Sequence, residues 1–326
     1  MKAWLLDDMG GVGGLKLREA PDPIPAAGEV VLQVAYAALN PADRYLSEGH
    51  YPARPPMPHI LGRDGFGTIV AVGADVTGVH VGEKKTVLRG DVGVTRWGTF
   101  AEKVAVPVES LIDAPADWSE QEAAGAALVY VTAYQALTQW GELPPSIVLV
   151  SGASGGVGVA SVQLAGALGH TPLALSRGTA KHAQLKQIGA AAVFDPTDPA
   201  WRKKVKEFLD GRRVDLAIDN IGGPLFSEMI DTLGEWGKVS VVGRLAGPVP
   251  EFNTSALLFR RLRIGGVAVG AYTNAESRAA WSAIISLLQG AGAKPLIDRV
   301  FPFDQLPAAF ARLAQGPMGK VLIAAG

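Results

Sequence analysis

Four glycines, Gly152, Gly155, Gly156 and Gly158, follow directly on a β-branched run from Ile147 to Val150. They precede a stretch of small and apolar residues from Val159 to Leu168. A buried strand that turns into a helix through glycines points several backbone N–H groups, and the positive end of the helix dipole, at one spot. That geometry holds a pyrophosphate. The turn departs from G-x-G-x-x-G at its first glycine, where Ala153 stands, and glycine-rich turns also occur without a ligand. Position argues for binding: a second strand is expected from Thr171 to Ser176, after the helix. Ala153, Ser154, Gly155, Gly156, Val157 and Gly158 are therefore expected to cradle a dinucleotide.

The end of that second strand bears on which dinucleotide. An NAD site usually has an acidic residue there to hold the ribose 2′-hydroxyl. The sequence instead reads Leu175-Ser176-Arg177-Gly178-Thr179-Ala180-Lys181, with no carboxylate. A hydroxyl and two cations suit a 2′-phosphate, which favours NADPH. The other reading leaves Arg177 and Lys181 as solvated charges at a loop and a helix start.

These residues need a sheet to position them. A chain of 326 residues suggests about two domains. Residues 1–120 read as mostly β, with strands at Glu29 to Ala35 and Phe66 to Val72, a glycine turn at Gly10 to Gly14, and an exposed proline-rich loop from Tyr51 to Pro58. Short strands separated by Gly and Pro suggest a partly open barrel. Ser119-Glu-Gln-Glu122 is a capping box opening a helix through Ala123 to Gln139, with a break expected near Val129 to Thr132. Strands are then predicted at 147–151, 172–176, 192–195, 214–219, 237–242 and 264–270, with helices between most of them. That alternation implies an α/β, doubly wound parallel sheet over residues 121–272, and six strands suit a complete Rossmann fold. The segment 273–326 breaks the alternation with helices at Glu276 to Gln289 and Pro307 to Ala314 and a strand at Lys320 to Ala324. Its simplest course returns to the N-terminal β domain, which would set the active site in a cleft between the domains.

Composition excludes several functions. The chain has no cysteine, which rules out disulfides, thiol catalysis and thiolate-bound zinc. Its five histidines, at positions 50, 59, 80, 170 and 182, show no ligand spacing. A formal net charge of −1 leaves no electrostatic footprint for nucleic acid or anionic membrane. No apolar run reaches the ~18 residues of a membrane span, and Met1-Lys2-Ala3-Trp4 leads straight into strand-like sequence without a signal peptide. A cytoplasmic protein with a small-molecule substrate is the expectation.

The order of features resembles a known family, the zinc-independent medium-chain dehydrogenase/reductases, in particular the quinone oxidoreductases and 2-enoyl thioester reductases. The resemblance spans essentially the whole chain. It rests on Asn40-Pro-Ala-Asp43, Gly49-His-Tyr51-Pro, Leu61-Gly-Arg-Asp-Gly-Phe-Gly67, Ala153-Ser-Gly-Gly-Val-Gly158, Asp219-Asn-Ile-Gly222 and Leu257-Leu-Phe-Arg-Arg-Leu-Arg-Ile-Gly-Gly266. Zinc-dependent relatives carry a cysteine ligand at the position of Asn40 and Gly-His-Glu near Gly62-Arg63-Asp64, and both are missing here. The resemblance implies a GroES-like catalytic domain, with Asn40, Asp43, Tyr45 and Tyr51 lining the pocket near the nicotinamide. It implies that Thr132 contacts the nicotinamide and that Ser176, Arg177 and Lys181 hold the adenosine phosphate. Asn220, Gly243, Arg244 and Val267 to Val269 would flank the cofactor, and Lys320 would approach it from the tail. In such enoyl reductases a tyrosine at the position resembling Tyr51 hydrogen-bonds the substrate carbonyl.

Without a metal, some other group must stabilise the negative charge that hydride delivery builds on an acceptor. A quinone, or an alkene conjugated to a carbonyl, develops an enolate-like oxygen that one or two oriented hydrogen bonds can stabilise, with water supplying the proton. Tyr51 and Asn40 are the electrophile candidates, and Arg63 is a candidate for touching substrate. The bland alternatives stay beside these: Tyr51 packing in its loop, Asn40 in a turn, Asp43 capping a helix from Pro41, and Arg63 paired with Asp64. The expected activity is NADPH-dependent reduction of quinones or enones. A 2-enoyl thioester reductase using Arg260, Arg261 and Arg263 for phosphates, and a nucleotide-binding protein without turnover, are the alternatives. The apolar sixth strand would be an exposed edge in a monomer, so a homodimer is expected.

Overall fold

Apolar residues that recur every second position need a covered face, and the N-terminal strands find one in each other. The computed structural model describes residues 1–88, 91–247 and 252–325. The chain divides into two units, one of Met1–Leu128, Tyr272–Ala279 and Lys294–Gly326, the other of Val129–Ala271 and Ala280–Ala293.

The first unit opens with β1 (Lys2–Leu6), β2 (Leu15–Glu19), β3 (Glu29–Ala38) and helix α1 (Pro41–Ser47). It continues with β4 (His59–Ile60), β5 (Asp64–Val72), β6 (Lys84–Val87), β7 (Lys103–Pro107) and β8 (Leu111–Ile112). One small sheet has the order β2-β1-β4. In the larger sheet β3 and β5 pair antiparallel along most of their length. Their close approach needs Gly67, where a Cβ would lie 2.2 Å from the carbonyl oxygen of Gln33. Leu6, Leu32, Leu39, Leu46, Ile60, Leu61 and Ile69 are buried in this unit's core. Helix α1 starts at Pro41 as expected, and the Asp43 carboxylate caps it, accepting from the Asn40 backbone N–H at 2.8 Å.

Helix α2 (Glu120–Thr138) begins at the expected capping box. The Ser119 N–H donates to Glu122 Oε2 at 2.6 Å, and the Glu122 N–H to Ser119 Oγ at 3.2 Å. The break expected at Val129 to Thr132 is absent. Alanines on either side relieve the χ1 crowding of the β-branched run, and the helix passes through unbroken.

The second unit is an alternation of strands and helices. The elements are β9 (Ile147–Val150), α3 (Gly156–Ala167), β10 (Thr171–Leu175), α4 (His182–Gln187), β11 (Ala192–Phe194), α5 (Trp201–Phe208), β12 (Val214–Asp219), α6 (Pro224–Thr232), β13 (Leu233–Val241), α7 (Ser255–Phe259) and β14 (Arg263–Gly266). The strands form one parallel sheet in the order β11-β10-β9-β12-β13-β14, the Rossmann arrangement. Its strand order reverses between β9 and β12. The sixth strand is shorter than the predicted 264–270: β13 runs out at Val241, opposite Gly266, and Val269–Ala271 instead forms a turn of 3₁₀ helix.

After α8 (Asn274–Ala291) the tail supplies β15 (Ile297–Pro302), α9 (Leu306–Ala314) and β16 (Lys320–Ala324) to the first unit. Strand β16 pairs antiparallel with β3 and parallel with β15, so the chain's last strand becomes a neighbour of its third.

Candidate functional site

The glycine turn sits at the C-terminal end of β9, where the strand order reverses, and opens into α3. At Gly158 a Cβ would lie 2.3 Å from the Gly152 carbonyl oxygen and 2.6 Å from the Ala153 Cα, so only glycine lets the turn fold back on the helix. At Gly155, the N-cap of α3, the nearest atom to such a Cβ is 3.5 Å away. The turn is thus tight on its protein side and open at its N-cap. The N–H groups of Gly156, Val157 and Gly158 are the first of the helix and have no intrahelical acceptor. This is the cradle a diphosphate needs.

Asn220 stands across the reversal, at the end of β12. Its backbone N–H donates to Ser151 Oγ at 2.9 Å and its Nδ2 to the Ser151 carbonyl at 2.8 Å. Ser151 Oγ in turn donates to Asp219 Oδ1 at 2.8 Å. Asn220 Oδ1 is buried with no hydrogen-bond partner, an acceptor held ready for a donor the protein does not supply. Gly243 passes so close that a Cβ would lie 2.4 Å from the Asn220 carbonyl oxygen. Arg244 is exposed, Thr132 is buried on α2, and Val267 and Val269 are half-buried after β14. The glycine turn and the Asn220 acceptor suit a dinucleotide bound by the second unit.

At the end of β10, Ser176 is buried and Arg177 exposed. Lys181 reaches back to the glycine turn, its Nζ donating to Ser154 Oγ at 3.2 Å. The sequence reading missed Asp195. It lies just past β11, and its Oδ2 accepts from the Gly178 N–H at 2.9 Å. Hydrogen bonds from the backbone and side chain of Thr197 hold its carboxyl below the usual carboxylate range. It is 18 residues after Arg177 and only sheet pairing brings it there.

In the first unit, Asn40, Asp43, Asp64 and Lys320 come together in a buried cluster. Lys320 Nζ donates to Leu39 O at 3.0 Å, Asn40 Oδ1 at 2.7 Å and Asp64 Oδ2 at 3.1 Å. All three ammonium protons are thus engaged, and Lys320 ties β16 to β5 and to the start of α1. Asn40 is engaged likewise. Its Nδ2 donates to Asp64 Oδ2 at 3.0 Å and Ala38 O at 3.3 Å, which takes both amide protons and leaves none for a developing oxyanion. Asp43 is fully buried, with Oδ1 lacking a partner. Burial raises its carboxyl to about 7, against the opposing pull of Arg63, the Asn40 N–H and Lys320.

Tyr51 and Arg63 are brought together by the loop between α1 and β5. Arg63 Nη1 donates to Tyr51 Oη at 3.1 Å, and its guanidinium carbon lies 5.1 Å from the centre of the Tyr51 ring. The alternative of an Arg63–Asp64 pair is therefore replaced: Asp64 faces Lys320 and Arg63 faces the phenol. Because Tyr51 Oη accepts from Arg63, its own proton remains available to donate. Arg54 fixes the loop from the other side through the carbonyls of Gly49, Tyr51 and Ala53. Tyr45 is half-buried beneath the Arg44 guanidinium. Trp97 donates to Pro58 O at 3.2 Å and packs on the core. The loop that holds it, Gly90 to Gly98, begins at a residue outside those described.

A zinc ion does not fit this cluster. The chain has no cysteine, the Asp64 carboxylate already holds an ammonium, and among the described residues no three His, Asp or Glu side chains gather as a ligand set.

Comparison with known proteins agrees with the two units. Residues 26–116 match the alcohol dehydrogenase GroES-like domain family, and residues 156–289 the zinc-binding dehydrogenase family. The human synaptic vesicle membrane protein VAT-1 homolog is 30% identical over all of this chain and 87% of its own length. Acryloyl-coenzyme A reductase of Sulfurisphaera tokodaii is 28% identical over 95% of this chain and 96% of its own. Human quinone oxidoreductase is 28% identical over 99% and 97%. Among solved structures, an NAD-dependent alcohol dehydrogenase superimposes with a TM-score of 0.91 at 27% identity, over all of both chains. A mycobacterial protein complexed with NADPH does so with a TM-score of 0.89 at 25% identity, over 99% of this chain and 100% of its own. The first unit is accordingly a GroES-like β domain and the second a Rossmann-like sheet.

Proposed function

Because the chain belongs to the medium-chain dehydrogenase/reductases of the quinone oxidoreductase-like kind, we propose that it reduces a quinone or a carbonyl-conjugated alkene with NADPH and without a metal. The observation that carries this reading is the Arg63–Tyr51 pair. A phenol whose oxygen accepts a charge-assisted hydrogen bond keeps its own proton for an acceptor oxygen, and the guanidinium polarises that O–H. When bound, the reduced nicotinamide supplies the hydride. Tyr51 donates to the acceptor oxygen as negative charge builds there, and water adds the proton that completes the saturated ketone or the quinol. Asn40, Asp43, Asp64 and Lys320 fix the starts of α1 and β5, the elements that flank the segment carrying this pair.

The cofactor reading rests on the Lys181–Ser154 contact beside Arg177 and on the NADPH held by the mycobacterial neighbour. Asp195 favours NADH as a second reading, because a carboxylate against the Gly178 loop repels a 2′-phosphate. The thioester alternative gains nothing from its proposed arginines. Arg260 donates to the carbonyls of Ile230 and Leu233, and Arg261 and Arg263 lie against the Trp236 ring. A homodimer remains part of the proposal, because β14 is a sheet edge with Ile264 exposed and Leu258 and Phe259 exposed on α7.

Oxidation of NADPH in the presence of a benzoquinone or an enone tests the reading. Turnover is expected, with kcat falling roughly 10²- to 10³-fold in Tyr51→Phe while NADPH affinity is unchanged. A protein that binds NADPH yet reduces neither acceptor class would instead be a nucleotide-binding protein.

A further inference from the structure

The guanidiniums of the first unit nearly all have an obvious counterpart. Arg18, Arg44, Arg96 and Arg312 face carboxylates, and Arg54 caps three carbonyls. Arg63 is different. It is half-buried, its one hydrogen bond goes to a neutral phenol, and among the described residues it forms no ion pair. Of its five N–H donors, four make no hydrogen bond within the described residues.

The nearby carboxyls do not neutralise it. Asp64 is engaged by Lys320 and by the Asn40 amide. Asp43 accepts the Asn40 N–H inside the α1 cap, and burial lifts its carboxyl to about 7, so at neutral pH it supplies only part of a counter-charge. A partly desolvated cation with donors in a fork and no hydrogen-bonded carboxylate is a poor arrangement for stability alone and a good one for a ligand.

We propose that Arg63 makes this protein selective for an anionic acceptor, a conjugated ketone whose carbonyl carbon bears a carboxylate. This deepens the reading above and rests on it in one respect, that Tyr51 takes the carbonyl oxygen. The geometry sets the class. Nη1 of Arg63 and Oη of Tyr51 are 3.1 Å apart, close to the spacing of vicinal oxygens in an α-keto acid. A ketone oxygen on the phenol therefore places a neighbouring carboxylate on the guanidinium. A neutral enone would leave the guanidinium without an anion.

Benzylidenepyruvate and its methyl ester share one conjugated ketone and differ in the charge. With NADPH, the intact protein is expected to reduce the acid with a kcat/KM at least ~10-fold above that of the ester. Arg63→Met is expected to bring that ratio to about one, and Arg63→Lys to keep part of it. A ratio at or below one in the intact protein, or one that survives Arg63→Met, overturns the proposal. A second arm needs no turnover and no variant. Calorimetric titration of the NADP⁺-loaded protein should show benzylpyruvate binding at least ~10-fold tighter than its methyl ester. Equal binding of the two overturns the assignment of Arg63. Preferential binding of the acid with no reduction of either enone supports Arg63 and instead removes the hydride-transfer reading.

Discussion

Lys320 and Asp64 are 256 residues apart in sequence and form an ion pair of 3.1 Å, with their side chains 4% and 1% exposed. The ammonium also holds Leu39 O and Asn40 Oδ1, so one cation joins the last strand to the strand and helix that carry the site. Desolvating both charges is expensive, and the full set of hydrogen bonds offsets that cost.

Removing one partner should therefore be severe. Lys320→Met is expected to destabilise the protein by about 3–5 kcal/mol, because the Asp64 carboxylate is left buried without its cation. Denaturant unfolding of that variant, and of Lys320→Met with Asp64→Asn, checks the cause. The double variant should recover part of the loss, and an equal loss in both would assign it to packing.

Asn40 and Tyr51 should separate cleanly. Asn40→Ala removes the donors to Asp64 and Ala38 and the acceptor for Lys320, so its main effect is expected in the melting temperature. Tyr51→Phe removes only a hydroxyl from a half-buried ring, so its main effect is expected in kcat. Thermal unfolding and steady-state kinetics on both variants measure the contrast, and a catalytic loss confined to Asn40→Ala would reverse the two roles.

The pH dependence of stability should carry the mark of Asp43. Its carboxyl rises from an ordinary 3.8 to about 7 in the folded protein, with burial the largest cause. Between these values the folded state binds a proton that the unfolded state has lost, so stability falls as pH rises from about 4 to about 7. Asp43→Asn should flatten that decline and raise the melting temperature relative to the parent near pH ~8, but not near pH ~4. Melting curves across this range show whether the slope belongs to Asp43.

Cofactor choice is expected to be decided at the end of β10. NADPH is expected to bind more tightly than NADH, and Arg177→Ala with Lys181→Ala to abolish the preference by lowering only NADPH affinity. Asp195→Asn should widen the preference by removing a negative charge from the Gly178 loop. Fluorescence titrations with both cofactors measure this, and tighter NADH binding by the parent would establish the Asp195 reading.

Two glycines of the turn should respond differently to a methyl group. Gly158→Ala places a Cβ 2.3 Å from the Gly152 carbonyl and is expected to destabilise the fold. Gly155→Ala meets nothing closer than 3.5 Å and should fold normally while weakening dinucleotide binding, because the methyl occupies the ligand's side of the turn. Melting temperature and cofactor affinity, taken together, distinguish the two.

The sequence by itself determined what depends on neighbours along the chain. The capping box at Ser119 and the Asp43 cap of α1 are local hydrogen bonds between residues three apart, so residue type and spacing suffice to read them. The inner strands β9, β10 and β12 are buried on both faces and appear as apolar runs between turns, which made them and the glycine turn after β9 legible. The apparent break in α2 was the local misreading, because β-branched residues disfavour a helix only weakly and packing overrides them. Only tertiary structure decided which polar groups have protons to give. Asn40 and Tyr51 look alike as candidate donors in sequence. Pairing of β16 with β3 brings Lys320 and Asp64 onto Asn40 and engages its amide, while the return of the chain into β5 sets Arg63 on Tyr51 and leaves the phenol's proton available. Asp195 beside Gly178 has the same origin: side chains distant in sequence meet through strand pairing, and spacing along the chain carries no trace of it.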